Sequence, residues 1–149
     1  MPNFLANHDV SAVAGYTAAG VTAVKSDIVD SAGYEEVTFI FTFDTILATS
    51  VLNCYVNGNT TSVTGGTKLK TAIAHTVTTA NATLGQSAIA MSVYEPAPAT
   101  YRYLEAVVDP DTANAVLTGV VCIRSGGKKK PMAQSGLLTF GIDVSPAAA

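Results

Sequence analysis

The sequence predicts an all-β fold: an antiparallel β-sandwich, jelly-roll-like, of about eight strands. Three observations predict it. Apolar and polar residues alternate through several short runs, the period of two that marks a half-buried strand. Clusters of Gly, Pro, Asn and Asp separate those runs. No stretch carries the apolar stripe of a long amphipathic helix.

Taken in order, residues 1–9 read as an irregular, flexible N-terminal arm. The Ala-, Val- and Thr-rich segment that follows, "VSAVAGYTAAGVTAVKSDIVD", has two glycines and many β-branched residues. These favour extended chain over helix. "SAG" at 31–33 turns the chain into "YEEVTFIFTF", residues 34–43. There Val37, Phe39, Phe41 and Phe43 share one face, with Glu36, Thr38 and Thr42 on the other. "SVLNCYV", residues 50–56, is the next strand. "NGN" at 57–59 reads as a turn, because Asn and Gly tolerate positive φ.

The Thr-rich middle predicts a short strand near 62–64 and a longer one near 68–78. In "SAIAMSVYEP", Ile89, Met91 and Val93 share a face. "APAT" breaks the chain before "YRYLEAVV". There Leu104, Ala106 and Val108 face one way and Tyr103, Glu105 and Val107 the other. "DPDTANA" is a turn of Pro, Asp and Asn, so residues 101–124 read as a β-hairpin ending in "AVLTGVVCIR". A polar Gly- and Lys-rich loop, 125–136, leads to "LLTFGIDV", where Leu138, Phe140, Ile142 and Val144 alternate. Residues 145–149 form a tail.

The 149 residues form a single domain, 48% hydrophobic, enough for a real core. Only 13% are charged, against roughly a quarter in an average soluble domain. Thr, Ser and Asn, or a covering partner, must replace charge on the surface. The net charge of −3 lacks the footprint of a nucleic-acid binder. No apolar run reaches membrane-spanning length and no signal peptide is visible, so a soluble chain made in the cytoplasm is expected.

Candidates for chemistry are few. Cys54 and Cys122 lie in apolar runs and read as buried thiols, with a disulfide or a reactive thiol as the alternatives. His8 and His75 are far apart and lack the spacing of a zinc site. Glu35 and Glu36 are adjacent on a strand and point opposite ways. No P-loop, EF-hand, GxSxG or HExxH pattern occurs. The expectation is no enzyme, no cofactor and no metal. Tyr101 and Tyr103 would serve a sugar-binding face if exposed.

An Ala/Val/Thr-rich segment runs into "DIVD", then "GYEEVTFIFTF", a Thr-rich middle and "YRYLEAVV". This order resembles the small capsid cement, or decoration, proteins of tailed bacteriophages. The resemblance runs over residues 10–124, with Arg102, Tyr103 and Leu104 matching a strand motif that follows a Gly/Pro/Thr-rich loop. It implies a jelly-roll or related sandwich, bound as dimer or trimer to the outside of a capsid, across joints between major capsid proteins. The implied partners are the major capsid protein and further copies of the chain, with neither nucleic acid nor membrane. The implied location is the virion exterior. Arms and loops are free to reach neighbours, whereas core strands are not. The expected contacts are therefore Met1, Pro2, Asn3, Phe4 and Leu5 in the arm, with Lys128, Lys129, Lys130 and Pro131 in the loop. The alternative is another phage structural or binding module: a head fibre, a tail or neck component, or a carbohydrate-binding sandwich.

Overall fold

The computed structural model describes residues 4–46, 49, 51–69, 73–76, 87–94, 98–110 and 115–127. A single helical turn, α1 (Phe4–Asn7), leads into β1 (His8–Ala14), β2 (Thr17–Gly20), β3 (Val24–Lys25) and β4 (Val29–Asp30). Next come β5 (Glu36–Ile46), β6 (Val51–Asn59), β7 (Thr67–Lys68), β8 (Ile73–Thr76) and β9 (Ser87–Tyr94). A second helical turn, α2 (Pro98–Tyr101), precedes β10 (Tyr103–Pro110) and β11 (Ala115–Ser125).

Two antiparallel sheets pack as a sandwich. The first has the order β1-β11-β5-β9, with β2 also on β11; the second has β3-β10-β6-β7, with β4 on β10 and β8 on β6. Several short segments are pieces of one interrupted strand. β1 pairs with Val120 to Ser125 of β11, and β2 continues along the same edge at Ala115 and Leu117. Ser26 fills the gap between β3 and β4: its N–H donates to the Ala106 carbonyl and its Oγ accepts from the Ala106 N–H, both at 2.9 Å. β7 and β8 likewise share one edge of β6.

Among the described residues, merging those pieces leaves eight strands in two sheets of four. The first strand then lies beside the last, the second beside the seventh, the third beside the sixth and the fourth beside the fifth. That nested pairing is the jelly roll, an antiparallel ribbon wrapped into two sheets. The core is filled by inward rows from both sheets. Val37, Phe39, Phe41 and Phe43 of β5 face Leu52, Cys54 and Val56 of β6 and Leu104, Ala106 and Val108 of β10. Each Val, Leu or Phe among them contributes about 1.5–3 kcal/mol by leaving water.

Four local expectations are corrected. Residues 4–9 are not an irregular arm: α1 is helical, and Asp9 belongs to β1. A charged residue on the inward row hid the alternation of Asp9, Ser11 and Val13. Residues 101–124 are not a hairpin, because β10 is central to one sheet and β11 to the other. Periodicity reports a strand, not its sheet, and even the four residues between β10 and β11 are long enough to cross the roughly 10 Å between sheets. Asn57 and Gly58 are not a turn: β6 runs on through Asn59, paired with both β10 and β7. The turn comes later, at Gly65 and Gly66, whose φ angles are 88° and 106°. Residues 62–64 belong to that loop, and the strand expected at 68–78 is the two pieces β7 and β8. The loop from 128, the strand expected at 137–144 and the tail lie outside the described residues.

The outer face of the second sheet is roofed by the 60–66 loop. Thr64 Oγ1 donates to Glu105 Oε2 at 2.6 Å, and the Gly65 N–H donates to Oε1 at 3.1 Å. Lys25 Nζ reaches Thr64 Oγ1 at 3.4 Å. Glu105 is therefore buried with both carboxylate oxygens partnered.

Candidate interaction surface

β11 and β9 both run toward one end of the sandwich, here called the upper end. His8 pairs with Ser125, Ser125 with Glu36, and Glu36 with Tyr94, so these residues form its rim in the first sheet. Tyr103 pairs with Asp30 and Asn59 across the second sheet. The chain preceding β1 and the chain following β11 therefore leave the body side by side.

A charged clasp joins the two sheets at this end. Arg124 comes from the inward row of β11 and forms an ion pair with Asp9 on β1. Its Nη1 donates to the Asp30 backbone carbonyl at 3.0 Å, crossing to the other sheet. Its guanidinium lies over the Tyr34 ring at 4.7 Å. Asp9 is 1% exposed. A charge that deep costs several kcal/mol in lost hydration unless it is paired. A planar guanidinium can serve a carboxylate, a carbonyl and a ring together, which an ammonium cannot. Asp9 Oδ1 and Arg124 Nε find no hydrogen-bond partner among the described residues. Burial pushes the Tyr34 phenol above its ordinary value.

Above the clasp sits a second, exposed pair. Arg102 Nε donates to Asp30 Oδ1 at 2.9 Å and Nη2 to Oδ2 at 2.7 Å, the two-pronged geometry that fixes both side chains. The Arg102 hydrogen bond holds the Asp30 carboxyl below the usual carboxylate range, and Asp30 in turn raises Arg102. Arg102 also lies over the Tyr103 ring at 5.1 Å. Ser31 anchors the segment by donating from N and Oγ to the Arg102 carbonyl, at 2.9 and 2.7 Å.

Aromatic groups complete the surface. Phe4 is 52% exposed and stacks on His8, with ring centroids 4.1 Å apart. The His8 Nδ1–H donates to the Phe4 carbonyl at 2.8 Å, closing the helical turn. Tyr94 is 69% exposed. Tyr34, Tyr101 and Tyr103 are half-buried, so four of the six tyrosines gather here. What results is a rigid patch of aromatic rings and one arginine, flanked by both chain extensions.

Of the contacts expected from sequence, Phe4 and Leu5 lie in α1. Met1, Pro2, Asn3, Lys128, Lys129, Lys130 and Pro131 lie outside the described residues. The topology sets Phe4, at the start of the described chain, and Ser125, at the end of β11, at one end, which the sequence treats as unrelated. Sequence reasoning missed the clasp. Its signal was Asp9 and Arg124 standing at core-facing positions of alternating runs, where unpaired charges are rarely tolerated. Tyr101 and Tyr103 do not form an open platform, since one abuts Gly58 and the other lies under Arg102.

Other candidates for chemistry are dispersed. Both thiols are free and buried, and burial pushes each up to about 12. Among the described residues, no three His, Cys, Asp or Glu side chains gather to hold a metal. An open groove at the opposite end is lined by Thr42, Phe43, Asp44, Ser87, Ala88 and Thr118, with Asp44 the one titratable group among these described residues.

Neither family models nor curated proteins give a significant match to the chain. Solved structures give remote likenesses. One is from work on Bacillus endospore appendages described as disulfide-linked pili: 13% identity, TM-score 0.44, covering 80% of this chain and 88% of that one. Another is a family 35 carbohydrate-binding module from Clostridium thermocellum: 10% identity, TM-score 0.48, covering 81% and 100%. A third is a chain in the structure of infectious bursal disease virus Gx strain: 12% identity, TM-score 0.49, covering 83% of this chain and 32% of that one. At these values they are likenesses of a β-sandwich and carry nothing about function.

Proposed function

We propose that this chain is a structural virion protein, a cement protein that binds the outer surface of a phage capsid and stabilises contacts between major capsid subunits. One observation carries the reading: both chain extensions leave a stiff jelly roll side by side, next to an exposed aromatic and arginine patch. A body with its reaching elements at one end is suited to docking end-on. Aromatic and Arg side chains are the types that dominate binding energy at protein interfaces.

Cementing follows from linkage. A ligand that binds the assembled shell and not the loose subunits stabilises assembly by RT ln(1 + [L]/Kd) per site. Modest contacts, repeated over a closed shell, add up. Phe4 and the preceding residues supply apolar contact, and Lys128, Lys129 and Lys130 supply positive charge for acidic positions on the shell. A second copy of the chain is the other partner, as dimer or trimer on the particle exterior. No chemical step, cofactor or metal is part of this function.

The test is stoichiometry. In purified native particles, this chain should stand in a fixed small-integer ratio to the major shell protein. A handful of copies per particle would assign it to a tail, neck or fibre instead. Its absence from particles would overturn the viral reading.

A further inference from the structure

We propose that the outer face of the first sheet is a self-association surface, on which a second copy of this chain packs sheet against sheet about a two-fold axis. The inference gives a surface to the copy-to-copy contact of the capsid reading, but it is argued from the sheet alone. Across the middle of that face runs the row Ala12, Val121, Ile40 and Ala90, one residue from each of β1, β11, β5 and β9. Phe39 and Phe41, on either side of Ile40, are buried in the core, so the row points away from it. Ala12 and Ala90 are exposed, and Val121 and Ile40 are half-buried. Val10 and Ile123, paired with each other, carry the apolar strip toward the upper end.

Charge is kept off this strip. Of the charged residues on those four strands, Asp9 and Arg124 turn inward to each other, Glu36 stands at the upper rim and Asp44 at the lower end. The second sheet differs, with Lys25 and Glu105 both on the side roofed by the 60–66 loop. Depletion of charge, more than bulk hydrophobicity, is the compositional mark of an interface core.

The hydroxyls on the face are already partnered. Thr38 Oγ1 and Ser92 Oγ share a hydrogen bond of 2.7 Å. Thr118 Oγ1 donates to Thr42 Oγ1 at 2.7 Å, which donates on to the Gly119 carbonyl at 3.1 Å. Such groups take their partners with them into an interface and escape the penalty for burying a polar atom unpaired. The face can therefore lose its water at low cost without a partner that supplies matching donors or acceptors.

Shape and size point to a copy of the same sheet. Twisted sheets stack face to face with their strands within about 30° of one another, and a second copy brings a sheet of identical twist and length. A strip without charge gives a charged partner nothing to recognise. Four strands wide and eight paired residues long, the face covers about 500 Å² per copy at ordinary strand spacings. Two copies then bury about 1,000 Å², the size at which an interface becomes specific. A face that pairs with itself closes at two copies.

The experiment is sedimentation of the purified chain, without particles, over a concentration series. The series should reach about 100 μM, where a contact with a Kd of about 10 μM is mostly formed. The expected result is a dimer. Ala90→Arg, at a position already exposed, should weaken it by about a hundredfold or more, because an unpaired charge would be buried. Ile40→Lys should do the same, and Thr61→Lys, in the loop over the other sheet, should leave the dimer intact. A monomer would give the face to a different protein and overturn the proposal, as would a trimer, or a dimer that survives Ala90→Arg. None of these outcomes touches the ratio of chain to shell protein in particles, so the capsid reading stands or falls separately.

Discussion

Asp9 and Arg124 are worth most when considered together. Replacing Asp9 with Ala leaves a guanidinium among groups arranged for an ion pair, and breaking such a pair typically costs about 3–5 kcal/mol. Replacing both with apolar residues, Asp9→Leu and Arg124→Met, should cost less than the single change. Chemical denaturation of the single and double variants checks this; a double variant as unstable as the sum would refute the coupling. The two thiols make a separate prediction. Burial pushes Cys54 and Cys122 up to about 12, while an unfolded thiol ionises near 8.5. Above that pH the folded chain holds more protons than the unfolded one, so stability falls as pH rises. The loss should begin near pH 9 and reach up to about 1.4 kcal/mol per pH unit for each thiol. Cys54→Ala should flatten the alkaline limb of a stability–pH curve, and an unchanged slope would count against the assignment.

At the scale of elements, β6 shows how local signals mislead. Asn57-Gly58 has the chemistry of a tight turn, yet it lies inside a nine-residue strand. The glycine answers a packing need: a Cβ at position 58 would meet Leu69 Cδ2 at 2.7 Å and Tyr101 Cβ at 2.8 Å. Gly58→Ala should therefore destabilise by about 1–3 kcal/mol, as overpacking does, and shift the α2 turn. A neutral effect in thermal denaturation would sink this account. β5 was legible because its four inward residues are apolar and most outward ones are not. β10 was legible as a strand, but not in its placement. It is buried on both faces, because the 60–66 loop, held by Glu105, roofs the outer one. Nothing in the residues around Glu105 announces a loop that arrives from forty positions away.

For the whole molecule, the all-β sandwich was readable because composition, turns and period agreed. The upper end was not, since it exists only once the first strand lies against the last. That arrangement changes how the reaching segment should be trimmed. Removing residues 1–9 would delete Asp9 and with it the clasp. Removing residues 1–5 spares β1. The shortened chain should keep its melting temperature within about 2 °C, a shift of roughly 0.6 kcal/mol, while its binding to the shell weakens about tenfold or more, at least 1.4 kcal/mol. Binding to purified particles measures the second and calorimetry the first. Full binding by the shortened chain would remove the arm from the docking surface.

The pairing of His8 with Ser125 also bears on how the protein is made. Synthesis delivers β1 first, but its partner β11 emerges more than a hundred residues later. Until then the aspartate at position 9 remains in water and the inner face of the strand has nothing to cover it. Folds dominated by such distant partners close slowly, because the loop entropy is lost before the contacts form. Chains made at high concentration would thus pass through a crowded interval with sheet edges open, when like chains can cross-pair. The low charge that suits the finished surface offers little protection then. Yield should depend on temperature and expression rate more steeply than the stability of the folded chain alone would suggest.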